Sequence, residues 1–263
     1  MHVLLIGLGN MGSKYLKKLK ELDISPVLCD IDPSKENLCE ECPFYCHFGD
    51  VREEVSRVIV AVDPQDHVSI AREFLEKGIP VLLEKPPAVS SFEFEEIWED
   101  PNLEISEIEL YSYPVRRFPK GLRIRRIRAE RLGKGRGYID PFWDLAWHDL
   151  YLMQYLFGEV EVSEVSRGMF WEMGGTAGGI PFTLRVAWDY RGEPSRRWVL
   201  DTDEGEVLMD FLLERILFKG KEETRRKGDK LKEMVTDFLK GIRREGSTRR
   251  AMKNLRILES LPS

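Results

Sequence analysis

Within its first dozen residues the chain passes from an apolar run at 3–6 into Gly7-Leu8-Gly9-Asn10-Met11-Gly12, then into a stretch of helical periodicity expected over about 11–22. This arrangement constrains the fold more than any other feature of the chain. The first glycine permits a tight turn, the second lets a pyrophosphate approach the backbone, and the third lets helix and strand pack closely. The next hundred residues continue the alternation. Residues 26–30 read as a strand, and Pro33 after Asp32 suits the first turn of a helix. Residues 57–62 form the continuous apolar run of a strand buried on both faces. Asp66 is the expected cap of a helix over 67–77, which Gly78 ends, and 81–83 is the next strand. Repeated βα units predict an α/β fold: a Rossmann domain, a doubly wound parallel sheet with right-handed crossovers. Ligands bind such sheets at the carboxyl ends of the strands. The glycine loop, Asp30, Asp63-Pro64 and Glu84-Lys85-Pro86 all fall there.

Beyond about residue 103 the pattern changes. Strands are expected over 104–112, 122–132, 160–170, 181–190 and 196–201, with one helix at 141–157 and closing helices at about 229–244 and 248–260. This reads as an α+β domain on a mostly antiparallel open sheet, with the domains dividing as 1–112 and 113–263. At 263 residues, 42% of them hydrophobic, the chain can fill two cores. A net charge of −6 offers no basic field for nucleic acid, and no apolar stretch approaches the ~20 residues of a membrane span. The short apolar run after His2 already reads as a strand rather than a signal peptide, so the expected compartment is the cytoplasm.

The site candidates follow from position. Phosphates gain from the helix N-terminus behind the glycine loop. Asp30, 18 residues after Gly12, can accept hydrogen bonds from an adenosine ribose and repels a 2′-phosphate. NAD is therefore favoured, with Ser34 and Lys35 leaving NADP open. Lys85 emerges after an apolar strand, where its ammonium can stabilise an alkoxide formed during hydride loss. Asp144 and His148 stand at i and i+4 of the expected helix, which Asp140-Pro141 starts well. A histidine suits a hydroxyl proton near neutral pH, although the spacing alone favours a surface ion pair. Trp143 and Trp147 flank this pair, where stacking on a sugar and core packing explain them equally well.

Other features have plainer readings. Cys39, Cys42, Cys46 and His47 have spacings that suit a zinc or redox site, but no second cluster completes one. Reduced thiols and no bound metal are expected. Five arginines in 122–131 are expected to pair with carboxylates on a solvated or subunit-facing strand. Residues 174–179, GGTAGG, read as a mobile hairpin.

Taken in order, the glycine loop, Asp30, residues 80–86, Arg117-Phe118-Pro119, Asp144-x-x-x-His148 and Asp203-Glu204-Gly205 resemble the Gfo/Idh/MocA family, named for glucose–fructose oxidoreductase and inositol dehydrogenase. The resemblance covers nearly the whole chain. It implies an NAD(P)-dependent dehydrogenase acting on a hydroxyl or carbonyl carbon of a sugar, polyol or sugar derivative. It also implies a catalytic trio of Lys85, Asp144 and His148, and a homo-oligomer joined through the second sheet. Cofactor contacts are expected from Gly7, Gly9, Asn10, Met11, Gly12, Asp30, Asp63, Pro64, His67, Glu84 and Lys85. Substrate contacts are expected from Arg116, Arg117, Trp143 and Trp147. The chain departs from the family at Asp63, where threonine is usual, at Ala146, where glycine is usual, and at Tyr151, where aspartate is common; an aspartate stands instead at Asp149. A catalytically silent NAD(P)-binding regulator and a C=N or C=C reductase are the alternative functions.

Overall fold

The computed structural model describes residues 2–135, 137, 139–224 and 228–262. The chain divides into two compact units, Met1–Ser106 with Leu231–Met252, and Glu107–Lys230 with Lys253–Ser263. Where the sequence suggests one cut after residue 112, each unit is assembled from two segments.

The first unit holds six strands: β1 (His2–Ile6), β2 (Val27–Cys29), β3 (Phe44–Tyr45), β4 (Val55–Val60), β5 (Val81–Leu83) and β6 (Leu103–Ile105). They pair in the order β3-β2-β1-β4-β5-β6, every neighbouring pair parallel. β2 and β5 are buried at every position, as strands covered on both faces must be. Strand order reverses between β1 and β4, which opens a crevice at their carboxyl ends. Helices α1 (Asn10–Lys20), α2 (Pro64–Leu75) and α3 (Ser91–Phe94) follow β1, β4 and β5.

Three local expectations change. The helix beginning at Pro33 is a 3-10 turn, Pro33–Leu38, whose first N–H groups Asp32 caps through Ser34. Asp63, not Asp66, caps α2, accepting from the Gln65 N–H at 3.2 Å. The proline at the next position favours that start, since it needs no N–H partner. The strand expected over 104–112 stops as the short β6 and becomes a 3-10 turn, Ile108–Tyr111. An apolar alternation this brief does not distinguish the two states.

The second unit contains helices α4 (Tyr113–Arg116) and α5 (Trp147–Phe157) and eight strands. These are β7 (Ile124–Leu132), β8 (Val160–Ser166), β9 (Trp171–Ala177), β10 (Ile180–Ala187), β11 (Ser195–Thr202), β12 (Gly205–Asp210), β13 (Arg215–Phe218) and β14 (Lys221–Thr224). They lie in the order β14-β13-β12-β11-β7-β10-β9-β8, antiparallel throughout except for β7 with β10. The GGTAGG segment is the end of β9 and the turn of its hairpin with β10, so a hairpin stands where one was expected. Gly174 and Gly175 lie within β9, and a Cβ at Gly175 would come within 1.9 Å of the Glu161 carbonyl on β8. The arginines of β7 pair with carboxylates: Arg125 with Asp203, and Arg128 with Asp201 and Glu206 at 2.6 Å each.

The last helices are α6 (Lys230–Lys240) and α7 (Ser247–Glu259). On α6, Leu231, Met234, Val235 and Phe238 form the buried stripe that a 3.6-residue period predicts. No helix of the described residues is long and apolar enough to cross a membrane.

Candidate active site

In the first unit the glycine loop forms a cradle. Gly7 adopts φ +85°, and a Cβ there would meet the Ala61 carbonyl oxygen at 2.5 Å. At Gly12 a Cβ would lie 1.8 Å from the Gly7 oxygen, so the helix packs against the loop only without a side chain. Gly9 differs, because a Cβ there would meet nothing within 4 Å. It borders open space and is also the N-cap of α1, with no side-chain cap and no acidic residue in the first turn. Unpaired N–H groups and the positive helix end, where Asn10 and Met11 begin α1, therefore remain for an anion. Asp30 stands at the end of β2, accepting from the Leu8 N–H (2.6 Å) and the Asp32 N–H (2.9 Å). It ties the loop to β2, and a carboxylate with about four acceptor positions keeps two for a ribose. These residues fit a dinucleotide.

The segment carrying Lys85 is held from two sides. Glu84 is buried; its carboxylate accepts from the Tyr15 hydroxyl and, at 3.1 Å, from the Lys85 N–H. Expected at the ligand edge, Glu84 instead anchors β5 to α1. Burial, and then Glu84, raise the Tyr15 pKa well above the usual phenol range. His67 is buried on α2, beside the buried Pro64, and its Nδ1–H donates to the Pro86 carbonyl at 2.8 Å. Burial lowers its pKa to about 4, against the opposing pull of the Pro86 carbonyl and Asp63. The Lys85–Pro86 peptide is cis, and the Lys85 side chain stays part-exposed.

In the second unit the Asp140 carboxylate accepts from the N–H groups of Phe142 (2.8 Å) and Trp143 (3.2 Å), the expected cap. The helix it starts is not uniform. A π-helical turn, Phe142–Ala146, precedes α5, so Asp144 lies in that wider turn and His148 on α5. Asp144 accepts from the Trp188 indole N–H at 3.1 Å. His148 Nδ1 lies 3.3 Å from the Tyr151 hydroxyl, with the two rings edge to face. Between Ala146 and Gln154 every residue is buried except His148, which is part-exposed. Trp147 is 1% exposed and belongs to the core, whereas Trp143 is part-exposed. Arg117 pairs with Glu223 at 2.8 Å, and Arg116 lies over the Tyr111 ring.

Beneath His148 lies a buried charge network that the sequence reading missed. Arg131 pairs with Asp149 (2.8 Å) and Glu109 (3.1 Å), all three side chains at most 3% exposed. Asp149 also accepts from the Trp198 indole at 2.8 Å. Glu109 accepts from Lys230 (2.7 Å) and Ser112 (2.8 Å). Burial alone would raise the Glu109 pKa, but Arg131, Lys230 and His148 outweigh it and hold the group far below the usual carboxylate range. Asp149 is thus a structural anchor rather than a displaced catalytic acid. The available signal was strand alternation, which puts Arg131 on the face of Ile127 and Ala129, and the place of Asp149 within the mostly apolar run 145–153.

Cys39 and Cys42 form a disulfide, which corrects the expected free thiols; the turn brings their Cα atoms to 5.4 Å, within disulfide reach. Cys29 and Cys46 are free. Among the described residues no three His, Cys, Asp or Glu side chains are grouped to hold a metal.

Residues 1–100 match the family model of the Gfo/Idh/MocA oxidoreductases, described as an oxidoreductase family with an NAD-binding Rossmann fold. None of the curated proteins matches the sequence. Among solved structures, UDP-N-acetylglucosamine 3-dehydrogenase GnnA from Acidithiobacillus ferrooxidans is 21% identical, with a TM-score of 0.84 over 99% of this chain and 97% of that one. A Gfo/Idh/MocA family oxidoreductase from Vibrio cholerae is 19% identical, with a TM-score of 0.78 over 99% and 96%. The WlbA dehydrogenase from Bordetella pertussis, in complex with NADH and UDP-GlcNAcA, is 17% identical, with a TM-score of 0.77 over 99% and 94%. At such identities the likeness is one of fold. Residues 1–100 thus match the Gfo/Idh/MocA oxidoreductase family with its NAD-binding Rossmann fold, and the whole chain shares the fold of the solved oxidoreductases it resembles.

Proposed function

We propose that the chain transfers a hydride between a nicotinamide cofactor and a hydroxyl or carbonyl carbon of a sugar, polyol or sugar derivative. The observation that carries this reading is His148, kept part-exposed within an otherwise buried stretch of helix. Sugar chemistry draws support from fold relatives that include a UDP-N-acetylglucosamine 3-dehydrogenase and a dehydrogenase complexed with UDP-GlcNAcA. The α1 N-terminus and glycine loop would hold the pyrophosphate. Asp30 would hold the ribose and disfavour a 2′-phosphate, so NAD is the proposed partner ahead of NADP. When bound, the nicotinamide supplies the hydride acceptor or donor.

The remaining chemistry falls to side chains of this chain. Lys85 holds the reacting oxygen and stabilises the negative charge that develops on it. His148 exchanges the proton of that oxygen, taking it in oxidation and returning it in reduction. Asp144, steadied by Trp188, binds a neighbouring hydroxyl. Arg116 or Arg117 is the proposed contact for an anionic substituent; Arg117 would exchange its pairing with Glu223 for it.

The test is a panel of polyols, sugars and UDP-sugars with NAD⁺ and NADP⁺, following reduced-nicotinamide absorbance. Lys85→Ala and His148→Asn should keep NAD binding and lose turnover by roughly 100-fold or more. Undiminished turnover in either variant would remove that residue's role.

A further inference from the structure

The Tyr151 hydroxyl sits between two fixed partners. Its oxygen accepts the Glu109 N–H at 2.9 Å, and His148 Nδ1 lies 3.3 Å away. Glu109 is itself immobilised by Arg131, Lys230 and Ser112. Tyr151 is fully buried. Burial first, then Glu109 and Glu107, keep the phenol protonated well above the usual range. A buried O–H needs an acceptor. The Glu109 N–H is a donor, which leaves the imidazole nitrogen.

We propose that Tyr151 is the positioning residue of His148: its hydroxyl donates to Nδ1 of the neutral ring and thereby leaves the ring proton on Nε2. This rests on the reading of His148 as the proton-exchanging group. A carboxylate at residue 151 could only accept, which would place the ring proton on Nδ1 and leave Nε2 bare. Tyrosine reverses that arrangement. Neutral His148 then presents an N–H donor at Nε2, suited to a substrate carbonyl oxygen. Proton uptake at Nε2 requires Tyr151 to turn its O–H away and accept from Nδ1 instead. The device thus favours binding of the carbonyl form over the hydroxyl form. Charged groups facing it are Glu107 and Glu109 ahead of α4, Arg131 on β7, and Lys230, which pairs with Glu109. Tyr151→Phe leaves all four in place.

Only four histidines occur in the chain, so histidine-selective nitrogen-15 spectra of the full-length protein can be assigned with His148→Asn. His67 supplies the opposite reference, because its Nδ1–H donates to Pro86. The expected result is an Nε2–H tautomer for neutral His148. In Tyr151→Phe the ratio of the Nε2–H to the Nδ1–H tautomer of the neutral ring should fall roughly fivefold, since the hydrogen bond that selects the first is lost. A proton on Nδ1 in the wild type, or an unchanged tautomer ratio in Tyr151→Phe, overturns the proposal. If the variant does not fold, the wild-type tautomer decides. Neither readout needs turnover, so failure of the enzymatic reading, shown by a His148→Asn variant that retains full turnover, is separable from failure of this one.

Discussion

His67 reads in the sequence as a polar residue in the first turns of α2, close to the expected cofactor edge. Its burial and its bond to Pro86 make it instead a link between α2 and the segment that carries Lys85. That placement has a pH signature. Burial depresses the folded pKa from 6.5 to about 4, so between those values the unfolded chain takes up a proton that the folded chain refuses. Stability is therefore lost as pH falls from about 6.5 to about 4, by about 3 kcal/mol. Urea midpoints measured across this range should show the loss in wild type and a much flatter dependence in His67→Asn. Equal slopes would mean that the ring is not buried neutral. The glycines were more legible than His67, because backbone conformation and close approach depend on a missing side chain. A histidine's role depends on what surrounds it.

At the scale of elements, β7 and α5 show what periodicity reports and what it omits. The expected strand over 122–132 is present as Ile124–Leu132, and its outward arginines meet carboxylates of β11 and β12 as anticipated. The same run of arginines includes Arg131, which turns inward to Asp149 and Glu109. Strand alternation puts Arg131 on the face of Ile127 and Ala129 and Arg128 on the other, but only the neighbouring elements determine which face is desolvated. Removing Arg131 leaves two carboxylates buried, with Lys230 and, at 4.0 Å, Arg196 beside Glu109. Arg131→Met should cost about 3–5 kcal/mol in urea unfolding, and adding Asp149→Leu should recover part of it. A cost below about 1 kcal/mol would place the pair in a wetter setting than its burial indicates. The π-helical turn before α5 was equally hidden, because the sequence pattern of one wide turn within a helix is that of the helix itself.

For the whole molecule, the open face of the eight-stranded sheet is the proposed assembly surface. It holds a shallow cavity of about 610 Å³ lined by residues that include Arg128, Glu130, Thr183, Arg185 and Val199. Glu130 there pairs with Arg185 at 2.9 Å and Arg197 at 2.7 Å. Sedimentation should show a dimer or larger species that Arg185→Glu weakens by setting a second carboxylate beside Glu130. A wild-type monomer at micromolar concentration would remove this assembly. The sequence by itself determined the βαβ order, the glycine cradle, the α/β class and the positions of Lys85, Asp144 and His148 along their elements. These rest on local properties: conformational freedom, period and the polarity of strand ends. Only the tertiary structure decided that Glu84 faces Tyr15, that Asp149 neutralises Arg131, and that Tyr151 meets His148. Each of those outcomes depends on which distant segment removes water from a polar group, and desolvation is a property of the packed chain.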